Sequence, residues 1–405
     1  MMAAYSSAHS GNETWLIEKN EKLGKKIYIT GKGRCNLANY CTEEFFMKNV
    51  VSNPKFMFSS IYSMPPIKTV ELFNSMGLET KIERGNRVFP ISDKASDVTK
   101  ALEKSLRSLG VKIVLNTSVL KVEGENGFFR DVVTDKRGKI EGDACIIATG
   151  GMSYPSTGST GDGYEFAKSF GHTVMPLFPS LVGLKTKEKY VKEMEGLSLK
   201  NILLKAFANG KQVFKEQGEM LFTHNGVSGP LILTVSSLLA KDISDGKKIK
   251  LSVDMKPALA PEKLDERIVR DFLDQSNKAV KNVLGGLLPS SMVPVILRLC
   301  GIDAEKKVNA ISAPVRKKLV EQIKNLEFEI DRSGDFSEAV VTKGGINVKE
   351  INPRTMESLK MRGVYFAGEV IDVDALTGGY NLQIAWSTGY TAGMLKCERK
   401  KDKTL

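Results

Sequence analysis

The sequence contains few of the side chains that bind metals or form disulfides. It has only three histidines, at positions 9, 172 and 224, and they are far apart along the chain. Its five cysteines are odd in number, and no two of them follow a C-x-x-C spacing. These features argue against a disulfide framework, a structural zinc site and a histidine-rich metal site. We therefore expect no metal.

Long hydrophobic runs are also missing. No stretch reaches the roughly 18–20 apolar residues that are needed to cross a bilayer, and the first residues lack the basic-then-apolar pattern of a secretory signal. With 405 residues, of which 41% are hydrophobic and 26% charged, the chain is long enough for two or three well-buried domains. We predict a cytoplasmic globular protein with no membrane partner.

The formal net charge of +12 raises the question of a polyanionic partner. The lysines are spread along the chain apart from the basic run at 396–401, and no RNA-binding signature with interleaved aromatic residues accompanies them. We interpret the charge as a solvated basic surface, so a nucleic-acid partner is the less favoured alternative. The sequence predicts no oligomeric state.

The first part of the chain alternates short apolar runs with helical patterns, which is typical of a parallel sheet. Residues 1–10 predict a helix, 14–18 a buried strand that ends in Glu18, and 26–30 a second strand. Apolar residues at helical spacing predict further helices over 67–76 and 97–109. Strands are predicted at 118–122, 128–134 and 139–141, and a buried strand runs into the small residues 148–151.

The pattern changes near residue 180, which suggests inserted domains. We predict an α/β domain from residues 1–180 and 345–405, interrupted by a β-barrel-like domain and a small helical domain. The barrel-like domain is assigned to 181–255 and 310–344, and the helical domain to 256–309.

Several glycine-bearing stretches follow predicted strands, where a ligand can approach the backbone closely. Gly31 and Gly33 flank Lys32 and precede Arg34, so this loop predicts either a pyrophosphate contact or a surface turn with two cations. The stretch 148–151 ends a buried strand, and 158–163 precedes a helix that it either caps or equips to bind an anion. Residues 376–383 open the last helix, whose N-terminus carries roughly half a positive charge.

Taken together and in this order, these segments resemble the two-dinucleotide-binding-domain flavoproteins, in particular the bacterial branch of aminoacetone-oxidase-like and bile-acid 3-dehydro-Δ4,6-reductase-like proteins. The matching stretches are LIEKNEKLGKKIYITGKGRCNLAN (16–39), RVFPISDKASDV (87–98), IIATGGMSYPSTGSTGDGY (146–164), GEMLFTHNGVSGP (218–230), VTKGGINVKEI (341–351) and GVYFAGEVIDVDALTGGYNLQIAWSTG (363–389).

The resemblance implies a glutathione-reductase-like FAD-binding domain made by both ends of the chain, with an inserted antiparallel β-barrel-like domain and a small helical domain. It also implies FAD as the cofactor, with NAD(P)H as a candidate electron donor. The cofactor-binding residues carried over are Glu18, Lys19, Lys26, Gly31, Gly33, Arg34, Cys35, Asn36, Val119, Ala148, Thr149, Gly150, Gly368, Glu369, Gly379, Asn381 and Leu382.

The family's usual start is not in this sequence. Related flavoproteins begin with a β-strand and a glycine-rich turn ahead of the helix at 1–10, about a dozen residues by the usual spacing. Losing two charge-assisted hydrogen bonds from that turn is expected to cost roughly 3–6 kcal/mol, or about two to four decades of FAD affinity. It is also expected to leave two parallel strands with unpaired edges.

We predict an FAD-dependent oxidoreductase that acts on a small organic substrate by hydride transfer through the flavin, linked to NAD(P)H or to oxygen. One alternative is a cofactor-free pseudoenzyme or mis-started chain, and another, less favoured, is an RNA-associated flavoprotein. No side chain is predicted to be catalytic, because the cofactor performs the difficult step. Cys35, Tyr154 and His224 are interpreted as loop, hydroxyl and turn residues in preference to chemical roles.

Overall fold

The computed structural model describes residues 1–395. Its α-helices are α1 (Met2–His9), α2 (Lys25–Ile29), α3 (Glu43–Lys48), α4 (Phe58–Ser63), α5 (Pro66–Ser75), α6 (Ala95–Ser108), α7 (Asp162–Ser169), α8 (Pro230–Leu238), α9 (Ala240–Ser244), α10 (Pro261–Asp274), α11 (Val280–Leu284), α12 (Val293–Cys300), α13 (Ala313–Lys324) and α14 (Tyr380–Gly393).

Its strands are β1 (Trp15–Ile17), β2 (Ala38–Asn39), β3 (Thr80–Glu83), β4 (Arg87–Pro90), β5 (Lys112–Val114), β6 (Val119–Glu125), β7 (Phe128–Thr134), β8 (Gly138–Glu141), β9 (Cys145–Ile147), β10 (Phe178–Ser180), β11 (Leu184–Thr186), β12 (Ser198–Ala208), β13 (Lys211–Thr223), β14 (Gly226–Ser228), β15 (Ile249–Asp254), β16 (Leu326–Ser333), β17 (Val341–Lys343) and β18 (Val364–Phe366).

The chain divides into two compact units. The first combines Met1–Ser180 with the chain from Phe336 onward, and the second is Leu181–Asp335. Helices α10, α11 and α12 share one hydrophobic core with the barrel strands of the second unit, so a separate helical domain over 256–309 stays a prediction. β17 pairs with β10 in the first unit instead of joining the barrel. The basic run at 396–401 lies outside the described residues.

The first unit contains parallel strand pairs and smaller antiparallel sheets. β1 pairs in parallel with β5, and β9 pairs in parallel with β18. Antiparallel sheets are formed by β6–β7–β8 and by β2–β4–β3. Within residues 1–395, β1 and β9 each have one strand partner, so the parallel sheet consists of two separate pairs.

The first and the last described helices, α1 and α14, pack against each other in this unit. α1 lies directly against α14, where a Cβ on Gly393 would overlap the carbonyl oxygen of Ala3. The Ser6 hydroxyl donates to the carbonyl oxygen of Tyr390 at 2.7 Å. Because this crossing leaves no room for a side chain on Gly393, it fixes the distance between α1 and the last helix.

Most of the predicted elements of the first unit are confirmed. α6 buries Val98, Leu102 and Leu106 on one face, as the helical spacing indicates. The segment 26–30 is wrong as a strand, because Lys25–Ile29 form the helix α2. Short apolar runs do not distinguish strand from helix by periodicity alone. Here packing decides, since the Thr99 hydroxyl of α6 donates to the Tyr28 hydroxyl at 2.9 Å.

The second unit is built around a closed antiparallel barrel of strand order β11-β14-β13-β12-β15-β16, which confirms the barrel-like insertion. Its interior is apolar, and the rings of Phe222 and Phe328 meet edge to face with centroids 5.8 Å apart. Across the described part of the chain, no helix is both long and apolar enough to cross a membrane, and no group of three or more His, Cys, Asp or Glu residues is placed to hold a metal ion.

A buried histidine lies in the first unit, away from the strand ends. His172 Nε2 is 2.6 Å from the Ser358 hydroxyl, and His172 Nδ1 is 3.3 Å from Glu350 Oε2. Burial lowers the pKa of His172 below its usual 6.5, although Glu350 opposes the shift. Partial burial would raise the pKa of Glu350, but hydrogen bonds from Lys360 and Thr173 outweigh it and lower this pKa to about 2.

We expect the protein to lose stability as the pH falls below 6.5. Between the lowered pKa of His172 and 6.5, the unfolded chain binds a proton that the folded chain does not, so the free energy of unfolding falls by up to about 1.4 kcal/mol per pH unit. His172→Gln should remove this slope in denaturant titrations, and His9→Gln, at an exposed position, should leave it. A slope that survives in His172→Gln would contradict the assignment. Glu350 adds a second pH dependence: its lowered pKa stabilises the folded chain, and this stabilisation is lost as the pH falls from 4.5 to about 2.

Candidate functional site

The candidate site lies where the parallel strands end. In parallel sheets ligands bind beyond the carboxyl ends of the strands, because loops and helix N-termini converge there. β1 is followed by Glu18 and Lys19, β9 by 148–151, and β18 by Gly368 and Glu369. The strand ends therefore carry much of the predicted set of cofactor-binding residues.

Glu18 and its neighbours connect the end of β1 to the loop at 157–162. Glu18 Oε1 accepts hydrogen bonds from the amide and the side chain of Asn20, at 2.9 and 2.7 Å. Asn20 Nδ2 also donates to the carbonyl oxygen of Thr157 at 3.0 Å. Lys19 Nζ lies 2.7 Å from Asp162 Oδ2. Glu18 Oε2 accepts no hydrogen bond from the described residues, so an acceptor remains for a ligand hydroxyl.

Val119 lies close to this segment along β6. Thr117, two residues earlier, donates its amide to the carbonyl oxygen of Glu18 at 3.1 Å. The predicted cofactor-binding residues Val119 and Glu18 are thus held in neighbouring stretches of backbone.

Glu369 is the centre of a hydrogen-bonded network at the end of β18. Its Oε2 pairs with Lys26 Nζ at 2.5 Å, and its Oε1 accepts from the Ser153 hydroxyl at 2.7 Å and the Thr342 amide at 2.6 Å. Lys26 Nζ also donates to the Ser153 hydroxyl at 2.6 Å. A Cβ on Gly151 would overlap Thr342 Oγ1, so this close approach requires glycine. The network brings the predicted residues Lys26 and Glu369 together.

The backbone at 148–150 is also tightly packed. Gly150 has φ +76°, and a Cβ there would lie 2.8 Å from the Ser159 hydroxyl oxygen. The Thr149 hydroxyl is buried and has no hydrogen-bond partner among the described residues. A ligand or a bound water would satisfy it, because buried polar groups are rarely left unpaired. Ala148, at the end of the same strand, is exposed.

The loop at 31–35 has an unusual backbone, and its cation is already paired. Gly31, Gly33 and Cys35 have positive φ. The Arg34 guanidinium hydrogen-bonds to Glu83 and Asp93, which raise its pKa, and it lies over the Phe89 ring at 4.1 Å from the centroid. Arg34 is thus paired with two carboxylates. The predicted position of Arg34 along FAD stays a prediction.

Cys35 is fully buried, and burial raises the pKa of its thiol to about 12. A thiol with that pKa is not ionised near neutral pH. The interpretation of Cys35 as a small loop residue agrees with this environment.

A second loop, 376–379, is held from several sides at the start of α14. Gly379 has φ +96°, and a Cβ there would lie 2.5 Å from the carbonyl carbon and oxygen of Ala38. In the amide orientation that satisfies both groups, Asn36 donates to the carbonyl oxygen of Ala38 at 3.1 Å and accepts from the Gly379 amide at 3.0 Å. Asn39 Nδ2 donates to the carbonyl oxygen of Gly378 at 3.1 Å.

Asn381 closes the same loop from within. Its Oδ1 accepts from the Ala375 amide at 3.0 Å, and its Nδ2 donates to the Ala375 carbonyl oxygen at 2.7 Å. No side chain caps the N-terminus of α14, so the first amides of the helix, including that of Leu382, have no intrahelical acceptor. This end of the helix is preorganised to meet a polar ligand edge.

Sequence reasoning missed Asn20, Asn39, Ser153 and Thr342. Each lies inside or directly beside a stretch that matches the flavoproteins, but each has a hydrogen-bond partner far away in sequence. The Thr342 hydroxyl oxygen accepts from the Met152 amide, and the Asn39 side chain donates to the carbonyl oxygen of Gly378. The local signal that was available for Ser153 and Thr342 was their position beside glycine pairs after predicted strands.

Comparison with known proteins places the chain in a family. The family model of the HI0933-like protein Rossmann domain matches residues 1–395. The 3-dehydro-bile acid delta(4,6)-reductase of Clostridium scindens is 34% identical over 405 residues, which covers 98% of this chain and 97% of that protein. The ribosomal RNA dihydrouridine synthase of Haemophilus influenzae is 29% identical over 399 residues, covering 97% of this chain and 95% of that protein.

A solved structure shows the same fold. The 3-ketosteroid delta1-dehydrogenase from Sterolibacterium denitrificans superposes with a TM-score of 0.50 and 12% identity, covering 97% of this chain and 96% of that chain. At this identity the likeness concerns the fold alone. On the extent of the family match and of the 34% identity, the chain belongs to the HI0933-like Rossmann-domain family, a family of FAD-dependent oxidoreductases.

Proposed function

We propose that this chain uses FAD to reduce a carbon–carbon double bond conjugated to a carbonyl group in a small organic substrate, with NAD(P)H as the electron donor. The observation that carries the proposal is the 34% identity, along almost the whole of both chains, to a protein named as a delta(4,6)-reductase of 3-dehydro bile acids. That name describes a ring ketone whose double bonds are conjugated to the carbonyl.

The residues at the strand ends fit FAD. Glu18 offers a free carboxylate oxygen to ribose hydroxyls, and the uncapped start of α14 offers backbone amides to the polar edge of a flat ring. Gly379, pressed against Ala38 without room for a side chain, keeps that edge open to the backbone. When bound, FAD supplies hydride transfer from its reduced ring.

The chain's own residues bind and orient the ligand. Glu369, with hydrogen bonds from Lys26, Ser153 and Thr342, is held as an acceptor for ligand hydroxyl groups. The loop at 376–379 is fixed by Asn36, Asn39 and Asn381, so its amides are placed before a ligand arrives. Such preorganisation lowers the cost of ordering the site on binding.

A second candidate function is reduction of a uridine base in RNA. Its support is the 29% identity to a ribosomal RNA dihydrouridine synthase over 95% of that protein, together with the net charge of +12. Uridine also contains a double bond conjugated to a carbonyl, so the same hydride chemistry applies to both substrate classes.

The purified chain tests both candidates. It is expected to be yellow, or to become yellow with added FAD, and to be bleached anaerobically by NADH or NADPH. A 3-oxo-4,6-diene steroid is expected to restore the flavin absorption and to lose its own conjugated absorption. Reoxidation by a uridine-containing RNA and not by the steroid would support the second candidate instead, with salt-sensitive binding as its companion observation. A colourless protein that cannot be reconstituted would reject both and support a cofactor-free chain.

Gly379→Ala is expected to weaken FAD binding at least about tenfold. Its control is Gly110→Ala, which has a similar positive φ, +75° against +96°, but no atom within 4 Å of the added Cβ. Both variants incur the strain of a left-handed residue, about 1–2 kcal/mol, but only Gly379→Ala displaces the loop from Ala38. Titration of flavin fluorescence measures both dissociation constants, and equal FAD affinity in the two variants would contradict the assignment of this loop.

A further inference from the structure

Two neighbouring residues of β17, Thr342 and Lys343, reach two different segments of the candidate site. Successive side chains of a strand point to opposite faces, so two neighbouring residues can contact two different segments. Thr342 is almost fully buried, and the Lys343 side chain is 18% exposed. Neither residue was predicted to belong to the site.

Thr342 holds the segment that contains Glu369. Thr342 pairs with Pro179 of β10 in the ladder, and the Thr342 amide donates to Glu369 Oε1 at 2.6 Å. The Thr342 hydroxyl oxygen accepts from the amides of Met152 and Ser153, at 2.8 and 3.1 Å. One residue thus connects the end of β18 to the turn that follows β9.

Lys343 holds the segment that leads into the glycine loop. Its Nζ lies 3.2 Å from Asp374 Oδ1, and Asp374 is 1% exposed. The same Nζ donates to the Ser52 hydroxyl at 2.9 Å. The Asp374 carbonyl oxygen accepts from the amides of Val51 and Ser52, and the Leu376 amide donates to the carbonyl oxygen of Asn49 at 2.9 Å.

Removing the cation that pairs with a buried carboxylate is strongly destabilising, so the ion pair with Lys343 stabilises Asp374 in its place. Asp374 lies two residues before Leu376, at the start of the loop that Asn36 and Asn39 hold at its other end. If Lys343 is removed, the first half of this loop keeps its backbone contacts to 49–52 but loses the ion pair between Lys343 and Asp374, whereas the contacts of Asn36 and Asn39 to the second half remain.

We propose that Thr342 and Lys343 are positioning residues that hold Glu369 and the 376–379 loop at fixed positions relative to each other. In this way they set the affinity of the site for FAD and the reduction potential of the bound flavin. This inference rests on the proposed use of FAD. Thr342 acts through Glu369 and the 152–153 amides, and Lys343 acts through Asp374.

The first arm of the test needs no cofactor. Amide hydrogen exchange is measured on the chain without FAD for Thr342→Val, which keeps the backbone amide but removes the hydroxyl acceptor, and for Lys343→Met. We expect faster exchange at 152–153 in the first variant and at 374–376 in the second. Lys349→Met, at an exposed lysine of the same unit, serves as the control and should change neither segment. Unchanged exchange in both segments would overturn the proposal.

The second arm measures FAD binding and the midpoint potential. Each variant is expected to raise the dissociation constant roughly 10- to 100-fold, a range typical of losing a contact one step removed from the bound group, and to shift the potential. Thr342→Ser and Lys343→Arg restore the hydroxyl and the charge, and should return both quantities to near wild-type values. Altered exchange with unaltered affinity and potential would show a merely structural role and overturn the proposal.

The two arms separate this inference from the function that it rests on. A wild-type chain that binds no FAD rejects the proposed function, and with it the effect on the flavin, while the exchange data still report whether Thr342 and Lys343 hold the two segments. A wild-type chain that binds FAD as tightly as all of its variants rejects the positioning role alone.

Discussion

The carboxylate of Glu369 is the constraint on which the strand ends of the first unit depend. A charge in a partly buried place needs both a cation and hydrogen bonds, because its attraction to one partner rarely offsets the loss of water. Glu369 receives them from Lys26, Ser153 and Thr342, which are distant from it and from one another in sequence. Satisfying this one group therefore fixes three other segments of chain at the end of β18.

Each of those segments then takes a conformation that its own sequence does not dictate. Lys26 has to reach Glu369, and it does so from the helix α2, although the run Lys-Ile-Tyr-Ile is equally compatible with a strand. The turn at 151–153 needs a glycine where it passes Thr342. The partner of β17 is β10, and the Thr342 amide donates to the Glu369 carboxylate. These are tertiary demands that override local preference.

The parts that sequence predicts well are those with strong local periodicity or a general topological rule. α6 carries three buried residues at helical spacing, and its predicted bounds lie within two residues of the observed ones. In the β6–β7–β8 meander the predicted bounds of β7 match the structure, whereas the prediction for β6 ends three residues early. The resemblance to the flavoproteins implies Glu18, Thr149 and Glu369 as cofactor-binding residues, and all three follow the carboxyl ends of parallel strands. Asn39, Ser153 and Thr342 escaped notice because their roles are set by partners more than 100 residues away. The pairing of Arg34 with Glu83 and Asp93, which lie 49 and 59 residues away in sequence, is likewise not marked by a local pattern.

The pairing of charges also bears on the kind of ligand that the site accepts. Lys19 is paired with Asp162, Lys26 with Glu369, Arg34 with Glu83 and Asp93, and Lys343 with Asp374. An incoming phosphate that took one of these cations would leave a carboxylate uncompensated, so the net charge of +12 does not act at the strand ends as an open cationic surface. Backbone amides, such as those at the start of α14, can hydrogen-bond an anionic group there without breaking an ion pair. A polyanion gains little from such a site, whereas a cofactor with a few phosphates and many hydroxyl groups matches what it offers.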